Sequence, residues 1–149
     1  MADALPIAIR DLRPGEVNFA RKAWLRSSCA RSDDADDRRK GDSALARALG
    51  RATYCEGHHA IVSRLLSTTT VRLAVSADND NVFVGFACVE PPHVVHYVYV
   101  IEECRRFGVA RRLLEGVTER ATYTHRTDIC RQLPIPEGWR FNFYRAVTR

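Results

Sequence analysis

An apolar run over residues 94–101, VVHYVYVI, breaks off into EECRRFG and reopens as VARRLL, and this junction constrains the fold more than any other stretch of the chain. Nearly every residue of the run is large and apolar or aromatic. Alternation puts His96, Val98 and Val100 on one face and Tyr97, Tyr99 and Ile101 on the other, so both faces need cover. A strand covered on both faces is a central strand in a sheet packed by helices. The junction therefore reads as such a strand, then a basic turn carrying one glycine, then the start of a helix.

The same order suits an anion. The first turn of a helix leaves N–H groups without intrahelical acceptors, and the aligned peptide dipoles place partial positive charge there. Gly108 has no Cβ to stand between those amides and a ligand. Arg105, Arg106, Arg111 and Arg112 gather positive charge around the same point. Turn chemistry by itself is equally compatible with an ordinary glycine turn and solvated arginines. The strand before it favours phosphate, and a diphosphate fits better than a neutral sugar.

The stretch from Val100 to Ala110 resembles the acyl-coenzyme A binding motif of the GCN5-related N-acetyltransferase superfamily: Arg or Gln, two residues, Gly, one residue, then Gly or Ala. Arg105, Gly108 and Ala110 stand at those places. The resemblance implies acetyl-CoA as cofactor. Val98 and Val100 would offer main-chain groups to its pantetheine arm, and the turn through Arg105, Arg106, Phe107, Gly108, Val109, Ala110 and Arg111 would hold its diphosphate. The likeness extends over roughly residues 7–130. The pieces AWLRSS, YCEGHHAIVSRLL, VGFACVE, HYVYV, YTHRT and WRFNFY are similar to a group of small acetyltransferase-like proteins common in bacteriophages and prophages. One departure stands out: about 19 residues follow Cys130, so the fourth helix and closing strand pair that help shape the family's acceptor site are short or missing.

A length of 149 residues with 46% hydrophobic content suits one core, so residues 1–149 are expected to form a single acetyltransferase-like domain. The expected class is α/β, a mixed and mostly antiparallel sheet flanked by helices, with a shortened C-terminal part. Apolar stretches fall short of the roughly 20 residues a membrane-spanning helix needs, and the first residues carry no positive leader, so no membrane partner and a cytoplasmic location are expected. Five cysteines, widely spaced and without a CxxC pair, argue for reduced thiols over a disulfide frame or zinc site. A net charge of +5 favours anionic ligands. The arginines are dispersed, without interleaved aromatics, which weighs against nucleic acid.

Along the chain, Pro6–Leu12 reads as a strand and Glu16–Ser28 as a helix, with Val17, Ala20, Trp24 and Leu25 on one face. Residues Asp33–Gly41 read as a charged loop. Helical pieces at ALARAL and HHAIVSRLL are separated near Tyr54–Gly57. Val71–Ser76 and Val82–Glu90 read as a hairpin. The helix after the turn is expected to run from about Val109 to Ala121, Thr122–Cys130 to return to the sheet, and the aromatic end to form a terminal strand. Its RFNFY run offers an edge to a second copy, hence a homodimer.

Acetyl transfer to an amine needs a neutral nucleophile, a polarised carbonyl and a protonated leaving thiolate. His96 is the first candidate base, with an ordinary pKa of about 6.5; the competing reading is a core histidine bonded to a neighbour. Glu90 is a second candidate acting through water, or a solvated strand-end carboxylate. Tyr144 is the candidate acid because the superfamily often places a tyrosine near the sulfur; aromatic packing is the alternative. Tyr54, His58 and His59 fall where the family's acceptor-side helices lie, and His125 and Arg126 would line the far side of the cleft. His58 and His59 are adjacent, not one turn apart, and are not read as a metal pair. The leading function is N-acetyl transfer from acetyl-CoA to an amine of an unidentified acceptor. The alternatives are an inactive coenzyme A binding regulator or interaction protein, and a small basic nucleic-acid-binding module.

Overall fold

The computed structural model describes residues 5–29, 48–125 and 135–147. Strand β1 (Ile7–Asp11) leads through a 3-10 turn at Pro14–Glu16 into helix α1 (Val17–Cys29). Helix α2 (Arg51–Thr68) delivers the chain to strands β2 (Thr70–Ser76), β3 (Phe83–Glu90) and β4 (Val94–Val100). A 3-10 turn at Glu102–Cys104 precedes the short helix α3 (Val109–Leu113), followed by β5 (Thr122–Tyr123), β6 (Arg140–Phe141) and a last 3-10 turn at Phe143–Ala146. The six strands form one sheet in sequential order. The first four are antiparallel, whereas β5 runs parallel to β4 and β6 parallel to β5. This is the mixed, mostly antiparallel sheet flanked by helices that the sequence led us to expect.

Two apolar layers cover the sheet. On one face α1 and α2 bury Ala20, Trp24, Val62, Leu65 and Leu66 against Leu73, Phe86, Cys88 and Tyr97. Val17 and Leu25 are only half-buried against the same layer. On the other face α3 supplies Val109 and Leu113 against Ala74, Ala87, Val89 and Val95. Because β3 lies between both layers, six consecutive residues from Val84 to Val89 are buried. Strand β4 is buried only over Val94–Tyr97, and Val98, Tyr99 and Val100 are half-buried.

Several boundaries differ from the sequence reading. Helix α2 runs unbroken through Tyr54–Gly57, because Tyr54, His58, Val62, Leu65 and Leu66 form one buried stripe at helical spacing that outweighs a glycine at an exposed position. Helix α3 stops at Leu113 instead of reaching Ala121. Gly116 adopts a left-handed φ of 83°, and Arg72 from β2 donates to the carbonyls of Leu113 (3.0 Å) and Glu115 (2.6 Å), which closes the helix early. The return strand is confined to Thr122–Tyr123 within the described residues. The Asp33–Gly41 loop, most of ALARAL, and residues 126–134 lie outside them. Among the described residues no helix is long and apolar enough to cross a membrane.

Candidate functional site

The pairing of β4 sets up the site. Cys88 stands opposite Tyr97 and Val89 opposite Val95, so His96 is an extra residue, a bulge in β4. Past the bulge the ladder is regular: Ile101 N–H donates to the Val84 carbonyl at 2.9 Å, and Val100 opposes Gly85. Antiparallel alternation then turns the main-chain groups of Tyr97, Tyr99 and Ile101 toward β3, and those of Val98 and Val100 away from it. On that outer side β5 pairs with β4 only at Val94 and Val95, the last bond being Thr124 N–H to the Val95 carbonyl at 3.1 Å. Among the described residues β4 has no β5 partner from His96 onward. The Val100 carbonyl accepts from Arg105 Nε at 3.0 Å, which ties the turn back to this parted edge.

The turn carries two left-handed residues. Arg106 has φ 69°, uncommon outside glycine, and Gly108 has φ 77° and ψ 8° as the residue that opens α3. A left-handed residue followed by a right-handed one folds successive amides into a concavity that accepts anions. The first intrahelical bond is Arg112 N–H to the Gly108 carbonyl at 3.2 Å, so the amides of Val109, Ala110 and Arg111 precede the helical ladder. Val109 is buried and anchors the turn to the sheet, while Arg105, Arg106, Phe107, Ala110, Arg111 and Arg112 are exposed.

The candidate bases meet each other. His96 Nε2 lies 2.9 Å from Glu90 Oε1, with the histidine side chain fully buried and the carboxylate side chain 15% exposed. His96 Nδ1 lies 2.9 Å from Thr124 Oγ1, and Thr124 Oγ1 lies 2.9 Å from His125 Nδ1. The His125 ring packs edge-on to Trp24 at 5.0 Å and to His58 at 5.4 Å, with Phe143 at 5.8 Å. Burial, and then His58 and His96, push the His125 pKa down to about 3, so its imidazole is neutral.

Tyr144 is 73% exposed in the final 3-10 turn, where its neighbour Phe143 reaches the His58 and His125 rings instead. The Tyr54 ring lies tilted against His58, centroids 4.7 Å apart. Trp24 is wholly buried and stacked on Tyr97 at 4.6 Å, and Arg126 lies outside the described residues. Cys88 is core, its thiol pushed up to about 12 by burial. Sequence reasoning missed Thr124. A threonine has no spacing signature, and only the parallel register of β5 beside the bulge brings its hydroxyl between two imidazoles.

Residues 43–125, more than half of the chain, match the acetyltransferase (GNAT) family. None of the curated proteins matches. Among solved structures, the chain is similar to a GCN5-related N-acetyltransferase from Rhodopseudomonas palustris, with 18% identity over 77% of this chain and 64% of that one, and a TM-score of 0.46. It is also similar to the apo form of YjaB from Escherichia coli, with 24% identity over 73% and 62% and a TM-score of 0.45. A third is AAC(6')-Iy in complex with a bisubstrate analogue, with 17% identity over 72% and 66% and a TM-score of 0.43. The chain spans slightly under two thirds of the length of each.

Proposed function

Since this chain belongs to the acetyltransferase (GNAT) family, we propose that it transfers an acetyl group from acetyl-CoA to an amine, working as one domain over residues 1–149. The observation that carries the reading is the parted edge of β4, which offers the main chain of Val98 and Val100 and runs straight into the turn at Arg105–Arg111. An extended pantetheine arm is a chain of amides and can bond such an edge as an added strand would. A diphosphate at its end would then meet the amides of Gly108–Arg111 and the surrounding arginines.

The main-chain N–H of Val98 is the group best suited to a thioester oxygen as negative charge develops on it. The Glu90–His96 pair supplies a base: Glu90 Oε1 accepting from Nε2–H holds the ring with its Nδ1 lone pair toward Thr124. Tyr144 is the candidate donor to the departing sulfur.

The test has two stages. Calorimetry with acetyl-CoA should give saturable one-to-one binding, and a set of primary amines, from polyamines to lysine peptides, should then accelerate release of free thiol from acetyl-CoA. Absence of binding would remove the reading altogether. Binding without thiol release across the set would leave a coenzyme A binding protein that is not an enzyme.

A further inference from the structure

The hydrogen bonds around His96 do not stop at the base pair. They continue through Thr124 Oγ1 to His125 Nδ1, and His125 Nε2 is buried without a hydrogen-bond partner. Trp24 Nε1, in the ring 5.0 Å away, is buried without a partner too. One orphan is an obligatory donor and the other, on a neutral imidazole, is the sole acceptor. Buried polar atoms are rarely left this way, and each calls for a small polar partner such as a water or an amine.

Proton positions along the chain of bonds are constrained. Where Glu90 Oε1 accepts from His96, Nε2 carries the proton between them, and Nδ1 of the neutral ring is an acceptor. Thr124 then donates its hydroxyl to His96 Nδ1 and accepts from His125 Nδ1–H. That leaves the His125 Nε2 lone pair open. His125 also lies two residues past Tyr123, the last β5 residue paired with β4, where the edge begins to part.

We infer that Glu90, Thr124, His96 and His125 form a proton relay, in which His125 Nε2 takes a proton from the acceptor amine and the Glu90 carboxylate receives one at the far end. The balance is complete. A proton arrives at His125 Nε2, its Nδ1 proton moves to Thr124 Oγ1, the hydroxyl proton moves to His96 Nδ1, and the His96 Nε2 proton moves to Glu90 Oε1. Each of the three side-chain hydrogen bonds survives with its direction reversed, and the carboxylic acid, partly exposed, returns the proton to solvent. No second charge is left in the interior. Among the described residues the titratable groups facing His125 are His58 from α2 and His96 from β4, and the His96 main chain also bonds the ring and favours its protonated form. Trp24 from α1 and Phe143 from the last turn bring none.

This function for the relay rests on the acyl-transfer reading, but its test does not. The full chain, labelled with 15N, is titrated with acid while the ring nitrogens are followed by NMR. At neutral pH the expected tautomers are Nε2–H for His96 and Nδ1–H for His125. As the Glu90–His96 pair takes up a proton, His125 should switch to Nε2–H at the same midpoint while staying uncharged. A purely structural network has no reason to couple a ring to a carboxylate it never touches. Thr124→Val should uncouple the switch and Thr124→Ser should keep it. Glu90→Gln should move it to lower pH, and this variant serves if the valine variant does not fold. An Nε2–H tautomer on His125 at neutral pH, an unchanged His125 while the pair protonates, or a switch that survives Thr124→Val would each overturn the relay. Acetyl-CoA binding is scored separately, so either idea can fail alone.

Discussion

Replacing Gly108 by valine separates handedness from space in the turn. Gly108 has φ 77°, yet a Cβ built there meets nothing within 4 Å, so the substitution strains the backbone without a clash. Holding a side-chain-bearing residue left-handed costs about 1–2 kcal/mol, and β-branched residues are the least tolerant. If the turn keeps its shape, the protein loses about that much stability, a fall in Tm of about 2–4 °C per kcal/mol at this size. If the turn relaxes, the amides of Val109 and Ala110 swing off the diphosphate. Hydrogen bonds to a charged group contribute about 1.5–3 kcal/mol each, and about 1.4 kcal/mol is tenfold in affinity. Kd for acetyl-CoA should therefore rise at least about a hundredfold when both bonds are lost. Asparagine accepts the left-handed region, so Gly108→Asn should stay near wild type. Calorimetry alongside thermal denaturation reads both quantities. Wild-type affinity together with an unchanged Tm in a folded Gly108→Val protein would refute the reasoning. Equal losses in the valine and asparagine variants would move the requirement from handedness to the missing Cβ.

Glu16 accepts two bonds from Arg10, at 2.6 and 2.8 Å, and one from the Arg13 amide at 2.9 Å, and these hold its carboxyl down at about 2 against an ordinary 4.5. A lowered folded-state pKa gives stability that is present above pH 4.5 and lost as pH falls toward 2, so Glu16→Gln should cost about 1.5–3 kcal/mol at pH 7 and flatten that acid limb in urea melts. Gly85→Ala would drive a methyl into the Tyr99 carbonyl and to within 3.1 Å of Val100 Cα, prising β3 from β4. A loss of about 1–3 kcal/mol should appear in the urea midpoint, accompanied by weaker acetyl-CoA binding. Arg72→Met removes both donors from the end of α3, and amide exchange in Val109–Leu113 should quicken while β1 and β2 stay protected.

The four antiparallel strands were legible because each is an apolar run bounded by turn residues, and the Ala77–Asn81 connection leaves a hairpin little choice. The turn at Gly108 was legible for a related reason, since its chemistry is local and lies within a few adjacent residues. Helix limits were not. Gly57 looked like a break, but the cost of a helical glycine, about 1 kcal/mol, is small beside the buried stripe from Tyr54 to Leu66. The early end of α3 depends on Arg72, some forty residues upstream, and no window around Leu113 contains that information. Glu90 and His96 were both chosen, but their 2.9 Å contact and its extension through Thr124 to His125 are properties of register.

Register is also where the fold and the candidate site become one problem. Val95 and Tyr97 are two residues apart, which in a regular strand puts both on one face. Here Val95 joins the layer under α3 and Tyr97 the layer under α1 and α2, because the extra residue at His96 resets the alternation. Without that insertion either the valine or the tyrosine would face the wrong layer, and Tyr97 would lose its stack on Trp24 and its 2.6 Å contact with Ser27. The same insertion takes His96 out of simple alternation and lets its ring bridge Glu90 on β3 and Thr124 beyond β5. It falls where the β4–β5 pairing ends, so the bend that a bulge imposes coincides with the parting of the two strands. One residue thus satisfies both apolar layers, opens the edge toward the turn at Gly108, and seats the candidate base beside it. Mutations that stabilise β4 by regularising it should therefore weaken cofactor binding even though they touch no residue of the turn.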